Sequence, residues 1–142
     1  MDGAIPTTEP ASAYGHAPLI SVDPDTSLQA AAELLHGKDI GAVAVTEGTK
    51  LVGVLSERDV VRALARGGAS GDPVSDWMTS SPITARPDDP VLDVALLMLE
   101  EGIRHLPLVD AYGKQVGMIS LRDIERPLLL QAMTPPPRVG SD

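Results

Sequence analysis

Two stretches of the sequence decide the fold because they repeat one pattern: GVLSERDVVRALA at residues 53–65 and GMISLRDIERPLL at residues 117–129. Each reads glycine, two apolar residues, serine, any residue, arginine, aspartate and a branched apolar residue. An apolar run leads into each serine and a helical segment follows it, so each stretch predicts a strand that passes directly into a helix. The repetition indicates an internal duplication.

The duplication extends well beyond these two stretches. Upstream of the hairpins the matching residues lie 63 positions apart, and from the glycines onward they lie 64 apart. The matched pairs are Pro24 and Pro87, Ala32 and Ala95, Ile40 and Ile103, Gly53 and Gly117, Ser56 and Ser120, Arg58 and Arg122, and Asp59 and Asp123. The extra residue falls between TEGTK (46–50) and VDAYGK (109–114), which read as hairpin turns, where an insertion costs least.

Each repeat of about 60 residues predicts the order strand, helix, strand, strand, helix. The prolines in PLISV and PITAR predict short extended segments, and apolar spacing predicts helices over 27–39 and 90–102. A second helix follows each hairpin, and Pro127 should kink or split the one in the second repeat. We therefore expect an α+β fold of two tandem β-α-β-β-α repeats, packed about a pseudo-two-fold, with helices covering small mixed sheets.

The pattern also predicts boundaries along the chain. Residues 1–17 and 134–142 lack periodicity and are expected to be a flexible N-terminal segment and a flexible tail. The first repeat is predicted at 18–67, a linker at 68–77 and the second repeat at 78–133.

Composition excludes several classes of function. A net charge of −9 and an aromatic content of 2% argue against nucleic-acid binding. Without cysteine there is no disulfide, thiol nucleophile or thiolate metal site. The start has no signal-peptide pattern and no apolar run is long enough to span a membrane, so a soluble cytoplasmic protein of bacterial type is expected. The histidines at 16, 36 and 105 lack ligand spacing, and no hydrolase elbow is present, so no enzyme is predicted.

This arrangement resembles the CBS domain, which normally occurs as a tandem pair. The match is carried by DWMTSSPITARPDDPVLDVALLMLEEGIRHLPLVDAYGKQVGMISLRDI in the second repeat and by ISVDPDTSLQAAAELLHGKDIGAVAVTEGTKLVGVLSERDV in the first. It covers roughly residues 18 to 130, as expected for a small stand-alone protein of this family. The sequence departs from the family pattern in three places. The lead-in Asp76–Thr79 of the second repeat has no clear counterpart before Pro18 in the first, and the first repeat has Ala44 where the second has Pro107. Pro127 should interrupt the last helix of the second repeat.

The resemblance implies a regulatory module rather than a catalyst. Family pairs commonly bind adenosine-containing ligands in clefts between the repeats, and they often dimerise into a flat disc. No cofactor is obligatory; AMP, ADP or ATP is the expected ligand, with S-adenosylmethionine or NAD less favoured. The expected partners are therefore a second copy, an adenine nucleotide and an unidentified regulated protein, without nucleic acid or membrane.

Two interpretations of the repeated serine and aspartate stay open. Ser56 with Asp59, and Ser120 with Asp123, form a capping box in the broad sense. That does not explain Arg58 and Arg122, because a cation near a helix start opposes the helix dipole. An anion held by free N–H groups, the hydroxyl and the guanidinium would explain them.

The resemblance also assigns parts of a ligand site. By it, Asp59 and Asp123 contact ribose hydroxyls, and Ser56 and Ser120 lie near phosphate. The slot for adenine would be lined by Ile20 and Val22, or Ile83 and Ala85, with Val43, or Leu106 and Pro107. The second copy is more complete because it carries Arg104 and His105 where the first has Gly41 and Ala42. If one cleft is occupied, we favour the one at Asp123.

Two functional hypotheses follow. The first is an adenine-nucleotide sensor that dimerises and modulates a partner through linkage between ligand and conformation. The second is a ligand-free adaptor whose serines and aspartates only cap helices.

Arg58, Arg62 and Arg66 recur every four residues and form a cationic stripe along one helix. This spacing favours a solvated helix face; the alternatives are a surface for a partner protein and contacts with the outer phosphates of a bound anion.

Overall fold

The computed structural model describes residues 9–15 and 20–133, without the side chains of residues 128, 129, 131 and 132. The first repeat contains β1 (Ser21–Val22), α1 (Leu28–Lys38), β2 (Ala42–Glu47), β3 (Lys50–Ser56) and α2 (Glu57–Ala65). The second contains β4 (Thr79–Ser80), α3 (Val91–Glu101), β5 (His105–Val109), β6 (Gln115–Ser120) and α4 (Leu121–Met133). The α+β class is confirmed, and the predicted order of elements is observed except in the first strand of the second repeat: PITAR (82–86) is not a strand, and the short β4 lies just before it and pairs with β3.

The strands form two small sheets. In the larger, β1 runs parallel to β2, and β2, β3 and β4 are successively antiparallel. In the smaller, β5 and β6 form a hairpin, and the PITAR segment contributes one parallel bridge from Ala85 to Leu108 instead of a full strand. Both hairpins carry a bulge at equivalent places, after Val45 and after Leu108. Two separate apolar cores lie between these sheets and the helices, one in each repeat.

The two hairpins meet each other in a symmetric way. Lys50 and Lys114, which occupy equivalent positions, form an antiparallel bridge. Leu51 N–H donates to the Gly113 carbonyl, and Gln115 N–H donates to the Thr49 carbonyl. Because each bond is the repeat-equivalent of the other, a local two-fold relates the repeats at this contact, as the duplicated sequence predicts.

Each repeat receives a short lead-in from the other. A 3-10 turn at Ala11–Ala13 lies on the second repeat, and one at Val74–Asp76 lies on the first. Ala11 N–H donates to the Asp89 carbonyl, and the equivalent Val74 N–H donates to the Thr26 carbonyl. Ala11 and Val74 are both fully buried, so the exchange ties the two cores together.

The N-terminal part of this exchange differs from the sequence expectation. Residues 9–15 are not a loose segment; they are the counterpart of residues 72–78 at the same offset of 63, with Tyr14 in the place of Trp77. Tyr14 donates its hydroxyl to Glu9 at 2.5 Å, and Trp77 Nε1 donates to Asp72 at 3.0 Å. The lead-in thus has the counterpart that sequence comparison missed, because only proline, serine and an aromatic pair survive in it. Residues 1–8, 16–17 and 134–142 of the predicted flexible ends lie outside the described residues.

The second repeat ends in one helix. The expected split at Pro127 is wrong, since α4 runs from Leu121 to Met133 with Pro127 inside it. The proline stands in the second turn, where its missing N–H removes a single intrahelical bond. α4 therefore continues from β6 without interruption at the point where the site lies.

Candidate functional site

A cleft of about 1080 Å³ lies between the two repeats. One wall is the end of β6 and the start of α4, with Ser120, Arg122 and Asp123; Arg104 and His105 lie next to them. The other wall comes from the first repeat, at the end of α1 and the start of β2, with Ile20 beside it. The cleft therefore brings together six residues that the sequence analysis singled out.

The turn from β6 into α4 is a reciprocal cap. Ser120 N–H donates to Asp123 Oδ2 at 2.8 Å, and Asp123 N–H donates to Ser120 Oγ at 3.1 Å. The capping interpretation is therefore correct for these atoms. Asp123 also lines the cleft, so capping holds it where a ligand can reach it.

His105 connects the two walls. An added Cβ on Gly41 would lie 2.7 Å from His105 Nε2 and 3.1 Å from Glu57 Oε1, so a side chain there would force the imidazole to shift from its approach to the first repeat. Burial lowers the pKa of His105; Arg104 acts in the same direction, while Glu57 and Asp123 oppose it. The imidazole is thus neutral at pH 7 and lies between groups of both signs.

The equivalent turn in the first repeat has the same cap but different surroundings. Ser56 N–H donates to Asp59 Oδ2 at 2.9 Å, and Asp59 N–H donates to Ser56 Oγ at 3.2 Å. Arg62 then holds Asp59 Oδ1 at 3.0 Å and also donates to the Trp77 carbonyl at 2.8 Å. Both oxygens of Asp59 are engaged within the chain, and its side chain is only 13% exposed.

Glycine 53 is also covered in the first repeat. A Cβ there would collide with the Met78 thioether and lie 3.0 Å from the Thr79 carbonyl. The repeat-equivalent of Met78 is Gly15, which has no side chain to lay over Gly117. In the first repeat the space over Gly53 is therefore filled by the protein's own Met78 and the start of β4.

The remaining predicted residues lie elsewhere. Arg58 borders a shallow depression of about 390 Å³ with Glu57, Val61 and Arg62, outside the large cleft. Of the residues expected to line an adenine slot, Ile20 borders the cleft and the others do not: Val43, Ala85, Leu106 and Pro107 are buried, Val22 packs on the first core, and Ile83 is 38% exposed. These positions carry the strand packing that the apolar pattern equally explains.

Several cleft residues were not found from the sequence. They come from the end of α1, from β6 and from the first turns of α4: His36, Lys38, Asp39, Gln115, Met118, Glu125 and Arg126. Cationic and acidic side chains are equal in number around the cleft, namely Lys38, Arg104, Arg122 and Arg126 against Asp39, Glu57, Asp123 and Glu125. In a chain of net charge −9, this neutral balance makes the cleft more favourable to an anion than the surface as a whole.

Neither a membrane span nor a cluster of metal ligands is found in the described ranges, 9–15 and 20–133. No helix there is long and apolar enough to cross the bilayer. No group of three or more histidine, aspartate or glutamate side chains there could hold a metal ion.

Comparison with known proteins places this geometry in a family. The family model "CBS domain" matches residues 5–66 and again 74–129. The CBS domain-containing protein YhcV of Bacillus subtilis is 34% identical over 105 residues, covering 73% of this chain and 74% of the relative. The chain spans 74% of the length of that relative but only 20% of an inosine-5'-monophosphate dehydrogenase of Thermoplasma acidophilum, to which it is 35% identical over 105 residues.

Solved structures agree. The CBS domain pair of protein MJ0100, in complex with 5-methylthioadenosine and S-adenosyl-L-methionine, superposes with a TM-score of 0.80 at 29% identity, covering 89% of this chain and 99% of that one. The CBS domain protein PAE2072 from Pyrobaculum aerophilum, complexed with AMP, gives a TM-score of 0.78 at 30% identity, with 88% and 99% covered. The duplicated turns, the exchanged lead-ins and the inter-repeat cleft are those of a tandem pair: the chain belongs to the CBS domain family.

Proposed function

We propose that this protein is a regulatory sensor that binds one adenosine-containing ligand in the cleft at Asp123. The observation that carries the proposal is the convergence of Ser120, Arg122, Asp123, Arg104 and His105 on one cavity between the repeats. A carboxylate can accept hydrogen bonds from both hydroxyls of a ribose, and the serine hydroxyl and guanidinium suit a phosphate. Complexes of similar pairs with AMP and with S-adenosyl-L-methionine support an adenosine ligand.

The volume and composition of the cleft support a nucleotide as ligand. The volume of about 1080 Å³ lies just above the range of about 300–1,000 Å³ that is usual for small-molecule sites. We expect AMP, ADP or ATP ahead of S-adenosylmethionine or NAD, because Arg104, Arg122 and Arg126 border the same cleft as Ser120 and guanidinium groups suit phosphate charge. The first copy is expected to stay empty, since Arg62 and Met78 already occupy its key groups.

The sensor would act by linkage. A ligand that contacts both repeats favours the arrangement in which it binds best, by its differential affinity for the two arrangements. The regulated partner is a separate protein, and catalysis by this chain is not proposed.

The test is a ligand screen with a matched pair of variants. AMP, ADP, ATP, S-adenosylmethionine and NAD are added to the purified protein, and thermal unfolding and calorimetric titration are measured. At least one should raise the melting temperature. Asp123→Ala should weaken its binding at least tenfold, whereas Asp59→Ala, which removes the same cap from the equivalent helix, should leave affinity within about twofold.

Outcomes of that screen separate the hypotheses. Asp123→Asn keeps an oxygen for the Ser120 N–H, so a loss of binding there reports the ligand contact rather than the cap. If no compound moves the melting temperature, the sensor proposal fails and the adaptor hypothesis replaces it. If Asp59→Ala weakens binding as much as Asp123→Ala, the occupied cleft is wrongly assigned.

We also propose a homodimer that packs α3 of one copy on α2 of the other. α3 exposes an apolar stripe of Leu92, Leu96 and Leu99, whose equivalents on α1 are Gln29, Glu33 and His36. α2 exposes Val61 and Leu64 beside the arginine stripe, and α3 carries Asp93, Glu100 and Glu101 beside its leucines. The two surfaces are complementary in charge, and a two-fold axis makes the contact twice.

Sedimentation velocity tests the dimer. The wild-type protein should sediment as a dimer, and Leu96→Glu, which writes the α1 residue into α3, should convert it to a monomer. Glu33→Gln on α1 is the control and should remain dimeric. A monomeric wild-type protein at micromolar concentration contradicts the proposal.

A further inference from the structure

Gln115 is a buried amide that the repeat pattern does not require. It is 4% exposed at the start of β6, and its equivalent in the first repeat is Leu51. Burying an amide costs free energy unless it is hydrogen-bonded, so an apolar residue would suit the strand better. Gln115 also borders the cleft, together with Met118 and Ile20. A polar side chain in this place calls for a function in the cleft.

The hydrogen bonds of Gln115 fix the direction of its amide. Nε2 donates to the Gly117 carbonyl at 3.2 Å, and a carbonyl can accept only from the NH₂ side of the amide. Oε1 therefore faces away from Gly117, and no described residue donates to it. The backbone N–H is held by the Thr49 carbonyl at 3.1 Å. Both ends of the residue are thus anchored, with one acceptor and one remaining N–H left for a ligand.

The position of Gln115 along the strand matches the far end of a nucleotide. Gln115 precedes Ser120 by five residues on β6, which is about 16 Å of extended strand. A nucleotide whose ribose is held at Asp123 and whose phosphate lies at the helix start must direct its base away from α4. The strand end at Gln115 is the cleft boundary in that direction that carries a free amide acceptor.

We infer that Gln115 reads the base of the bound nucleotide, an inference that rests on the function proposed above. Oε1 accepts from the exocyclic amino group of adenine, and the second Nε2 hydrogen is donated to a neighbouring ring nitrogen. Glutamine and adenine form such a bidentate pair through complementary donor and acceptor groups. Hypoxanthine and guanine carry a carbonyl oxygen at the same ring position, which would face Oε1 without a hydrogen between the two acceptors. The fixed amide cannot flip to suit them without abandoning the Gly117 carbonyl.

The experiment compares AMP with IMP, which differ at that one ring position. Calorimetric titration gives both affinities for the wild-type protein, Gln115→Met and Gln115→Leu, the latter carrying the residue of the first repeat. Wild type should bind AMP at least tenfold more tightly than IMP. Both variants should reduce this ratio to within about threefold, chiefly by weakening AMP. Gln29→Met, the same change on the exposed face of α1, should keep the wild-type ratio.

The outcomes distinguish this inference from the proposed function. Equal binding of AMP and IMP by the wild-type protein overturns the role of Gln115 while the nucleotide sensor stands. An unchanged AMP-to-IMP ratio in Gln115→Met or Gln115→Leu overturns it as well. If the wild-type protein binds no adenosine ligand, the proposed sensor function is wrong, and the proposed role of Gln115 in recognising the base is wrong as well. Should one variant not fold, the other still tests the role of Gln115, and equal binding of AMP and IMP by the wild-type protein overturns it without either variant.

Discussion

The two turns that follow β3 and β6 have the same cap and different neighbours. In both, serine and aspartate exchange hydrogen bonds across the first turn of the helix. Around Asp59 the protein supplies its own partners, Arg62 and the Met78 that covers Gly53. Asp123 lies on the wall of a large cleft, together with Arg126, the repeat-equivalent of Arg62. A duplicated motif thus specifies where a helix starts, and its surroundings decide whether that helix start can also receive a ligand.

The difference traces to the exchanged lead-ins. Residues 72–80 bring a methionine and a short strand onto the first repeat, whereas residues 9–15 bring a glycine to the equivalent place on the second. On the opposite wall, Gly41 leaves room for His105, while the second repeat has Arg104 at the position equivalent to Gly41. Each repeat has therefore specialised, one for packing and one for an open site.

The largest expected effect distinguishes the two glycines. Gly53→Ala should destabilise the folded protein by about 1–3 kcal/mol, because the new methyl group collides with Met78 and crowds the Thr79 backbone. Gly117→Ala meets only the Leu108 side chain, at 3.3 Å, and should cost less than about 1 kcal/mol, partly offset by the reduced entropy of the unfolded chain. Urea unfolding of the ligand-free protein measures both.

Equal losses in the two variants would contradict the asymmetry. A second readout sharpens the comparison: Gly53→Ala should leave AMP affinity nearly unchanged once the protein is folded. Gly117 lies between Gln115 and Ile119 on the cleft strand β6, so its substitution is the one expected to alter binding. If Gly53→Ala abolishes binding in a folded protein, the first repeat contributes more to the site than its geometry indicates.

Much of the fold could be predicted because duplication doubles every signal. The helices, the hairpins and the class follow from apolar spacing, and the starts of α2 and α4 follow from serine and aspartate three residues apart. The lead-in at residues 9–15 was missed because it holds its place through backbone hydrogen bonds to residues 87 and 89 and one small buried side chain, Ala11. Such contacts leave almost no trace in residue type.

The site could be predicted only in part, for a related reason. The site residues that could be predicted from the sequence belong to the repeated family pattern: Arg104, His105, Ser120, Arg122 and Asp123. The opposite wall is supplied by the end of α1, whose side chains look like an ordinary helix end until the second repeat packs against it. Whether apolar strand residues such as Val43 and Ala85 face a core or a cleft is likewise settled by packing between layers, because both locations favour the same residue types.

The smallest expected effect concerns the contact between the walls. Burial lowers the pKa of His105 in the folded protein, so below its unfolded value near 6.5 the unfolded chain binds more protons than the folded one. His105 therefore costs stability as the pH falls from about 7 toward its lowered folded pKa.

We expect His105→Ala, which places at position 105 the residue found at the equivalent position 42 of the first repeat, to show a shallower fall in melting temperature between pH 7 and pH 5 than the wild-type protein. Parallel curves for wild type and His105→Ala would mean that the imidazole between Gly41 and Asp123 is as well solvated as in the unfolded chain. The two walls would then be less closely packed at this point than the distances from Gly41 require.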